Sequence, residues 1–282
     1  MTISITSLIP RVRLLLEDAP WEDYISADIV SSSYTQATVN QPSGWTEGDW
    51  LEFQDNGDIA LVRQGGTTPM TVKGGHFGTT ATTHTQNTVV TKNPVWKYTQ
   101  INEALTRIVD ELWPRAWKVA TVSLTPSAST TWYDVGATFE DIISVQQVTT
   151  GSVSDAISYG EDPGFSFFTR RNMPTSLVPS GNGITFPNSF GNLVNTVLVN
   201  YRAKLTTSDI TDGLMSEVVI YGAAWRLATG KILKHTGDGI TETGKMPPTQ
   251  TALFLKQTYD ENIRLLHRTL QDEIGPMRKW RS

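Results

Sequence analysis

An α+β fold is expected from three features of the sequence. In the middle of the chain, Tyr98, Ile101, Leu105, Ile108 and Leu112 recur at steps of three and four residues, which lines one face of an α-helix. Before it, apolar residues alternate with Thr, Ser and Gly in a strand-like pattern; after it, mixed strands give way to two long helical stripes. Together these predict an α-helical core of three to four helices with a small antiparallel sheet, over 1–24 and 96–282. A small β-barrel or sandwich lobe over 25–95 is inserted into it.

Ser7 to Ala19 reads as the first helix, with Ser7 as N-cap, Pro10 in the tolerant first turn and Leu8, Val12, Leu15 and Ala19 as its stripe. Pro20 should end it. In the inserted lobe, Ile29–Ser33 and Thr35–Val39 read as strands. Trp50–Phe53 and Ile59–Arg63 flank Asp55-Asn56-Gly57-Asp58, a hairpin signal, because Asn and Gly both tolerate positive φ. Met70–Val72 and Thr88–Lys92 add further strands. The central helix, Tyr98 to Trp113, stops at Pro114, which has no N–H to donate and disfavours helix in the residue before it. Asn102, Glu103, Arg107 and Asp110 fall on its polar faces.

Beyond it, Val119–Leu124, Trp132–Asp134, Ile142–Val148, Ile184–Phe186 and Val197–Tyr201 read as strands, with a loop-rich span from Thr149 to Gly183. The next helix carries Leu214, Val218, Tyr221, Trp225, Ala228 and Ile232, with Asp212 as candidate N-cap. The last carries Leu255, Tyr259, Ile263, Leu266, Leu270 and Ile274, after Pro247-Pro248 and before Gly275-Pro276.

Composition narrows the chemistry. The formal net charge is -5 and no Lys/Arg cluster stands out, which points away from gripping nucleic acid. There is no cysteine, so disulfides, thiolate metal sites and a cysteine nucleophile are excluded. Met1–Pro10 does not read as a signal peptide, and no apolar run reaches membrane-spanning length. Gly239 to Met246 follows the phosphate-loop spacing until Met246 stands where Ser or Thr would hold Mg²⁺; its position between helices predicts an interhelical loop. His76, His84, His235 and His267 lack the i, i+4 spacing of a zinc helix and read as satisfied or exposed histidines. Glu140-Asp141 and Glu161-Asp162 are the candidate glycosidase carboxylates, with solvated loop acids the plainer reading. Trp45, Trp50 and Trp96 bracket the lobe as a sugar platform or, more simply, as core. No catalytic, cofactor or metal constellation is expected.

The segment Gly75-His-Phe-Gly-Thr-Thr-Ala-Thr-Thr-His84, followed by the strand Thr88-Val89-Val90, resembles a segment of tailed-bacteriophage virion proteins. There an Arg usually precedes it, where this chain has Gly74, and a Gly stands at the place of Asn87. The order of elements, with a segment like Tyr98-Thr-Gln-Ile-Asn-Glu-Ala-Leu and C-terminal helices like Val218–Leu233 and Leu253–Leu270, resembles phage head-to-tail adaptor (connector, or head-completion) proteins. The resemblance implies a non-enzymatic structural protein in the virion neck, assembled in the host cytoplasm. Such a protein forms a ring homo-oligomer, commonly a dodecamer, beneath the portal protein and meets the next neck or tail protein. DNA passes through its lumen without specific binding, and no membrane or cofactor is involved. Carried onto this chain, portal docking falls to Met277, Arg278, Lys279, Trp280 and Arg281, with Leu266 and Leu270 behind them. Glu103, Arg107 and Asp110 become candidate subunit contacts. The alternatives are a neighbouring stopper or tail-terminator, or a carbohydrate- or receptor-binding virion protein.

Overall fold

The computed structural model describes residues 2–18, 20–125, 130–136, 141–148, 168–170, 172–185, 196–235 and 248–274. It is an α+β protein with four α-helices and antiparallel sheets among these residues. The chain divides into two compact units, residues 1–108 with 211–259 and residues 109–210 with 260–282. In this division residues 25–95 share a unit with both flanking helical segments. Among the described residues no helix is long and apolar enough to cross a membrane.

The first unit is built on a small barrel. Its strands are β1 (Trp21–Tyr24), β2 (Gln36–Ala37), β3 (Trp50–Phe53), β4 (Ile59–Gln64), β5 (Met70–Lys73) and β6 (Val89–Lys92), paired antiparallel in the order β1-β6-β3-β4-β5-β2. The two ends of this sheet meet. Ile25 bridges Val39, the Ser26 N–H donates to the Thr38 carbonyl at 2.8 Å, and the Asn40 N–H donates to the Tyr24 carbonyl at 2.9 Å. This partial closure shortens the unpaired edges that an open sheet would present. Ile25, Trp45, Leu51, Phe53, Ala60, Val62, Met70, Val72 and Val90 fill the interior, alternating with outward residues as the strand period requires.

Several local expectations change. β1 was not expected: only Asp23 of its four residues is buried, so no apolar alternation marks it. Of Ile29–Ser33, only Ile29 pairs, with His84, and the chain then turns; the expected Thr35–Val39 strand shortens to β2. The β3–β4 connection is not a two-residue Asn-Gly turn. Phe53 and Asp58 close it, Gly57 alone takes positive φ (77°), and the Asn56 side chain accepts from the Asp58 N–H instead.

The first helix, α1 (Ile9–Leu15), is shorter than expected and follows a 3₁₀ turn over Ile5–Leu8. Glu17, at φ 55°, ends it before Pro20 can, because a left-handed residue cannot continue the helix. The central helix, α2 (Tyr98–Glu111), buries the whole expected stripe, from Tyr98 at 6% exposed to Leu112 at 0%. α3 (Leu214–His235) begins after Gly213 at φ 90°; Asp212 accepts from the Gly213 N–H and does not reach into the helix as an N-cap. Its buried surface is wider than a stripe: Met215, Ser216, Val218, Val219, Ile220, Ala223 and Ala224 are all covered. α4 (Pro248–Ile274) buries Leu255, Tyr259, Ile263 and Leu266 at the expected spacing. Within the first unit, a Cβ at Gly222 of α3 would lie 2.9 Å from the Tyr259 ring and 3.0 Å from Ile108, so glycine permits this helix contact.

The second unit holds two three-stranded antiparallel sheets. In one, β12 (Thr196–Ala203) is flanked by β7 (Lys118–Leu124) and β9 (Asp141–Val148); in the other, β11 (Gly183–Thr185) is flanked by β8 (Tyr133–Asp134) and β10 (Phe168–Arg170). β10 lies in the span expected to be loop. Leu124, Val135, Ile184, Val197 and Val199 form the main core, while Trp117 and Ile143 pack with Trp113 and Leu270.

Candidate functional site

Two of the barrel's polar clusters tie separate segments of the chain together. The first is an acid–histidine clasp. Asp58, in the β3–β4 connection, is 2% exposed and receives five hydrogen bonds. Tyr34 Oη donates to Oδ2 at 2.8 Å, the Thr82 N–H at 3.2 Å and His84 Nε2 at 3.2 Å. Thr79 Oγ1 donates to Oδ1 at 3.2 Å and the Gly75 N–H at 3.4 Å. The other ring nitrogen of His84, Nδ1, lies 3.0 Å from Asp55 Oδ2. Two carboxylates therefore face both ring nitrogens, an arrangement that favours the protonated ring. The ring stacks on Phe53 with centroids 3.5 Å apart and meets Tyr34 edge-on.

Every polar member of this clasp from Gly75 to His84 belongs to the Gly/Thr-rich segment singled out in the sequence. Gly75 takes φ 66°, which lets the backbone turn its N–H onto Asp58. Burial works against the charged His84 ring, but hydrogen bonds and charge from Asp55 and Asp58 outweigh it and raise its pKa. Burial likewise opposes ionisation of Asp58, but His84, Tyr34 and Thr82 lower its pKa. Burial and the Asp58 carboxylate push the Tyr34 phenol far up. The Thr82 hydroxyl lies 3.5 Å from His84 Nε2 and already accepts from Asn56 Nδ2 at 2.6 Å. With His84 2% exposed and both its nitrogens occupied, the cluster does the work of a brace: it ties the β3–β4 turn to the Gly75–His84 loop.

The second lies at the junction of the barrel with its helices. Glu52 points outward from β3 yet is 0% exposed. Its Oε2 accepts from Arg13 of α1 at 2.5 Å, and its Oε1 accepts from the Tyr98 N–H, the first residue of α2, at 2.6 Å. The Arg13 guanidinium also donates to the Trp96 carbonyl at 3.1 Å. The preceding N–H groups are held in turn: Val95 and Trp96 by Asp18 at 3.2 and 3.0 Å, and Lys97 by Gln100 Oε1 at 3.1 Å. A helix N-terminus leaves its first donors unpaired and carries a partial positive charge, so these carboxylates answer both needs. Burial pushes the Glu52 carboxyl up; Arg13, the Tyr98 N–H and Gln54 pull against it without reversing the direction.

The residues named from sequence are distributed as follows. His84 is buried and satisfied, His76 is half-buried, and His267 donates from Nδ1 to the Arg115 carbonyl at 2.8 Å. Trp45 is core, its Nε1 donating to Asp23 at 3.2 Å; Trp50 and Trp96 are half-buried on the barrel's outside. Leu266 is buried, and Leu270 packs beside Trp117 and Ile143. Glu103 and Arg107 form an exposed i, i+4 ion pair, and Asp110 pairs with Lys204 at 2.9 Å. Met277 to Arg281, the Gly239–Met246 segment, Glu140 and Glu161-Asp162 lie outside the described residues, as does the side chain of Asp141. Sequence reasoning missed Arg13, Asp18, Tyr34, Glu52, Asp55 and Asp58. Glu52 carried no signal of its own: between Leu51 and Phe53 it reads as the outward residue of an alternating strand, and only the fold shows that its outer face is buried.

No protein-family model matches this chain, and no curated protein sequence matches it.

Proposed function

We propose that this chain is a structural virion protein of a tailed bacteriophage, a head-to-tail adaptor that assembles as a ring on the portal. There it extends the DNA channel and offers a surface to the next neck or tail protein. The observation that carries this reading is the use made of Gly75–His84. The segment that resembles phage virion proteins spends Gly75, Thr79, Thr82 and His84 on bracing one barrel turn through Asp58. That is an architectural use of these residues. The carbohydrate-binding alternative loses Trp45 to the barrel interior.

In this reading Met277–Arg281 makes the portal contact. Leu266 and Leu270, being engaged within their own unit, hold the last helix in place behind the tail. The polar face of α2, with Glu103, Arg107 and Asp110, faces a neighbouring subunit. The test is the mass of the purified protein by sedimentation velocity, alone and mixed with portal rings. Ring-sized species or co-sedimentation with portal is expected. A protein that stays monomeric and never joins portal overturns the proposal.

A further inference from the structure

One outer face of the barrel combines unpaired cations with apolar side chains. Strand register places Trp50 of β3 opposite Leu61 of β4, and Leu61 opposite Lys73 of β5. Their neighbours Leu51, Ala60, Val62 and Val72 are buried inward, so this row points out. Arg63 falls at a bulge in β4, between Val62 and Gln64, and is exposed. Among the described residues neither Arg63 nor Lys73 has an ion-pair partner.

Phe77 completes the face. Its ring meets Trp50 edge-on at 5.5 Å, Lys97 Nζ lies 4.1 Å over it, and it is 54% exposed. Phe77 sits at φ 53°, ψ 28°, between Gly75 and Gly78, which also take positive φ. A bulky residue in the left-handed region is costly, and a glycine there would not be. The fold nonetheless holds an aromatic ring out at this point. His76 beside it is partly desolvated, and the charges acting on it are Lys73, Arg63 and Lys97, all cations, so its pKa is lowered. The local field is positive on a chain whose formal net charge is -5.

We propose that Trp50, Leu61, Arg63, Lys73, Phe77 and Lys97 form a docking surface for an acidic peptide segment of a protein partner, one that carries carboxylates spaced by aliphatic side chains. The cations receive the carboxylates, and Trp50, Leu61 and the Phe77 edge receive the aliphatic groups. Single-stranded nucleic acid is the poorer fit. Lys97 occupies a face of Phe77 that a base would stack on. The surface stands whether or not the chain is an adaptor.

The test uses a fluorescent Glu-rich peptide with spaced Leu residues, its Gln-for-Glu counterpart, and an oligothymidine of equal length. Anisotropy with the intact chain should show binding of the Glu peptide over the other two, weakening as salt rises. The amide shifts should map to β3–β5 and the His76–Gly78 turn. The double charge reversal Arg63→Glu with Lys73→Glu should weaken binding roughly tenfold or more. Phe77→Ala should weaken it as well. Should the charge reversal unfold the barrel, Arg63→Gln with Lys73→Gln carries the same test. The proposal is overturned if the Gln peptide binds equally, if the cation variants bind unchanged, or if the oligothymidine binds more tightly. It is overturned too if the reversal instead abolishes self-association, which would assign the face to a second copy of the chain.

Discussion

Arg13 and Glu52 show how one charged pair joins three elements. At 4% and 0% exposed, neither could be held as an ion without the other. Removing Arg13 leaves a buried carboxylate with only the Tyr98 N–H and Gln54 as partners. Arg13→Ala should therefore cost about 3–5 kcal/mol, read as a fall in the urea midpoint. An apolar replacement of both residues should recover only part of this, because the Tyr98 N–H loses its acceptor as well. His84 makes a pH prediction. Its pKa is raised, so the stability it adds is complete below its ordinary value of 6.5 and is lost as pH rises through the folded value. The Asp58 pKa is lowered, so its contribution is complete above 3.8 and is lost as pH falls through the folded value. The clasp should stabilise most between those two pH values. Glu52, with its raised carboxyl, also loses stability as pH rises above its ordinary value of 4.5, so the comparison needs a variant. A series of thermal midpoints against pH should fall as pH rises above 6.5 in the parent chain and fall less steeply in His84→Gln.

At the scale of elements, close approach decides more than propensity does. Gly222 lets α3 meet Tyr259 and Ile108 at distances a Cβ could not tolerate. Gly222→Leu should destabilise the first unit by about 1–3 kcal/mol through overpacking, measurable by chemical denaturation. The same reasoning explains which elements the sequence revealed. α2 and α4 were legible because each buries one stripe, and a 3.6-residue period survives in the residue order. The barrel interior was legible at β3 to β6 for the equivalent reason at period two. β1 was not, since Trp21, Glu22 and Tyr24 are all exposed and the one buried place holds an aspartate bonded to Trp45. α1 ended early because Glu17 adopts a left-handed conformation, which a non-glycine residue does not advertise in sequence.

For the whole molecule, the prediction concerns assembly. In the adaptor reading the C-terminal peptide is a contact and contributes nothing to the core. Deleting Pro276–Ser282 should leave the thermal midpoint unchanged and weaken co-sedimentation with portal; unchanged attachment would remove the tail from the interface. Arg107→Glu should impair ring assembly if the polar face of α2 meets a neighbour. Its partner Glu103 is equally exposed, so the pair itself adds little stability and the monomer should fold normally.

By itself the sequence determined the α+β class, the central helix with its buried stripe, and the final helix from Leu255 to Leu266. These follow from side-chain periodicity, which is local and needs no knowledge of partners. It also marked Gly75–His84 as a distinctive segment. Only the tertiary structure decided what that segment does, because Tyr34, Asp55, Asp58, Phe53 and His84 are separated in the chain and meet only once the barrel closes. The same holds for Glu52, whose role as acceptor for both a guanidinium and a helix N-terminus depends on two helices covering the outside of its strand. Burial sets the energy of a charge, and burial is a property of the assembled fold.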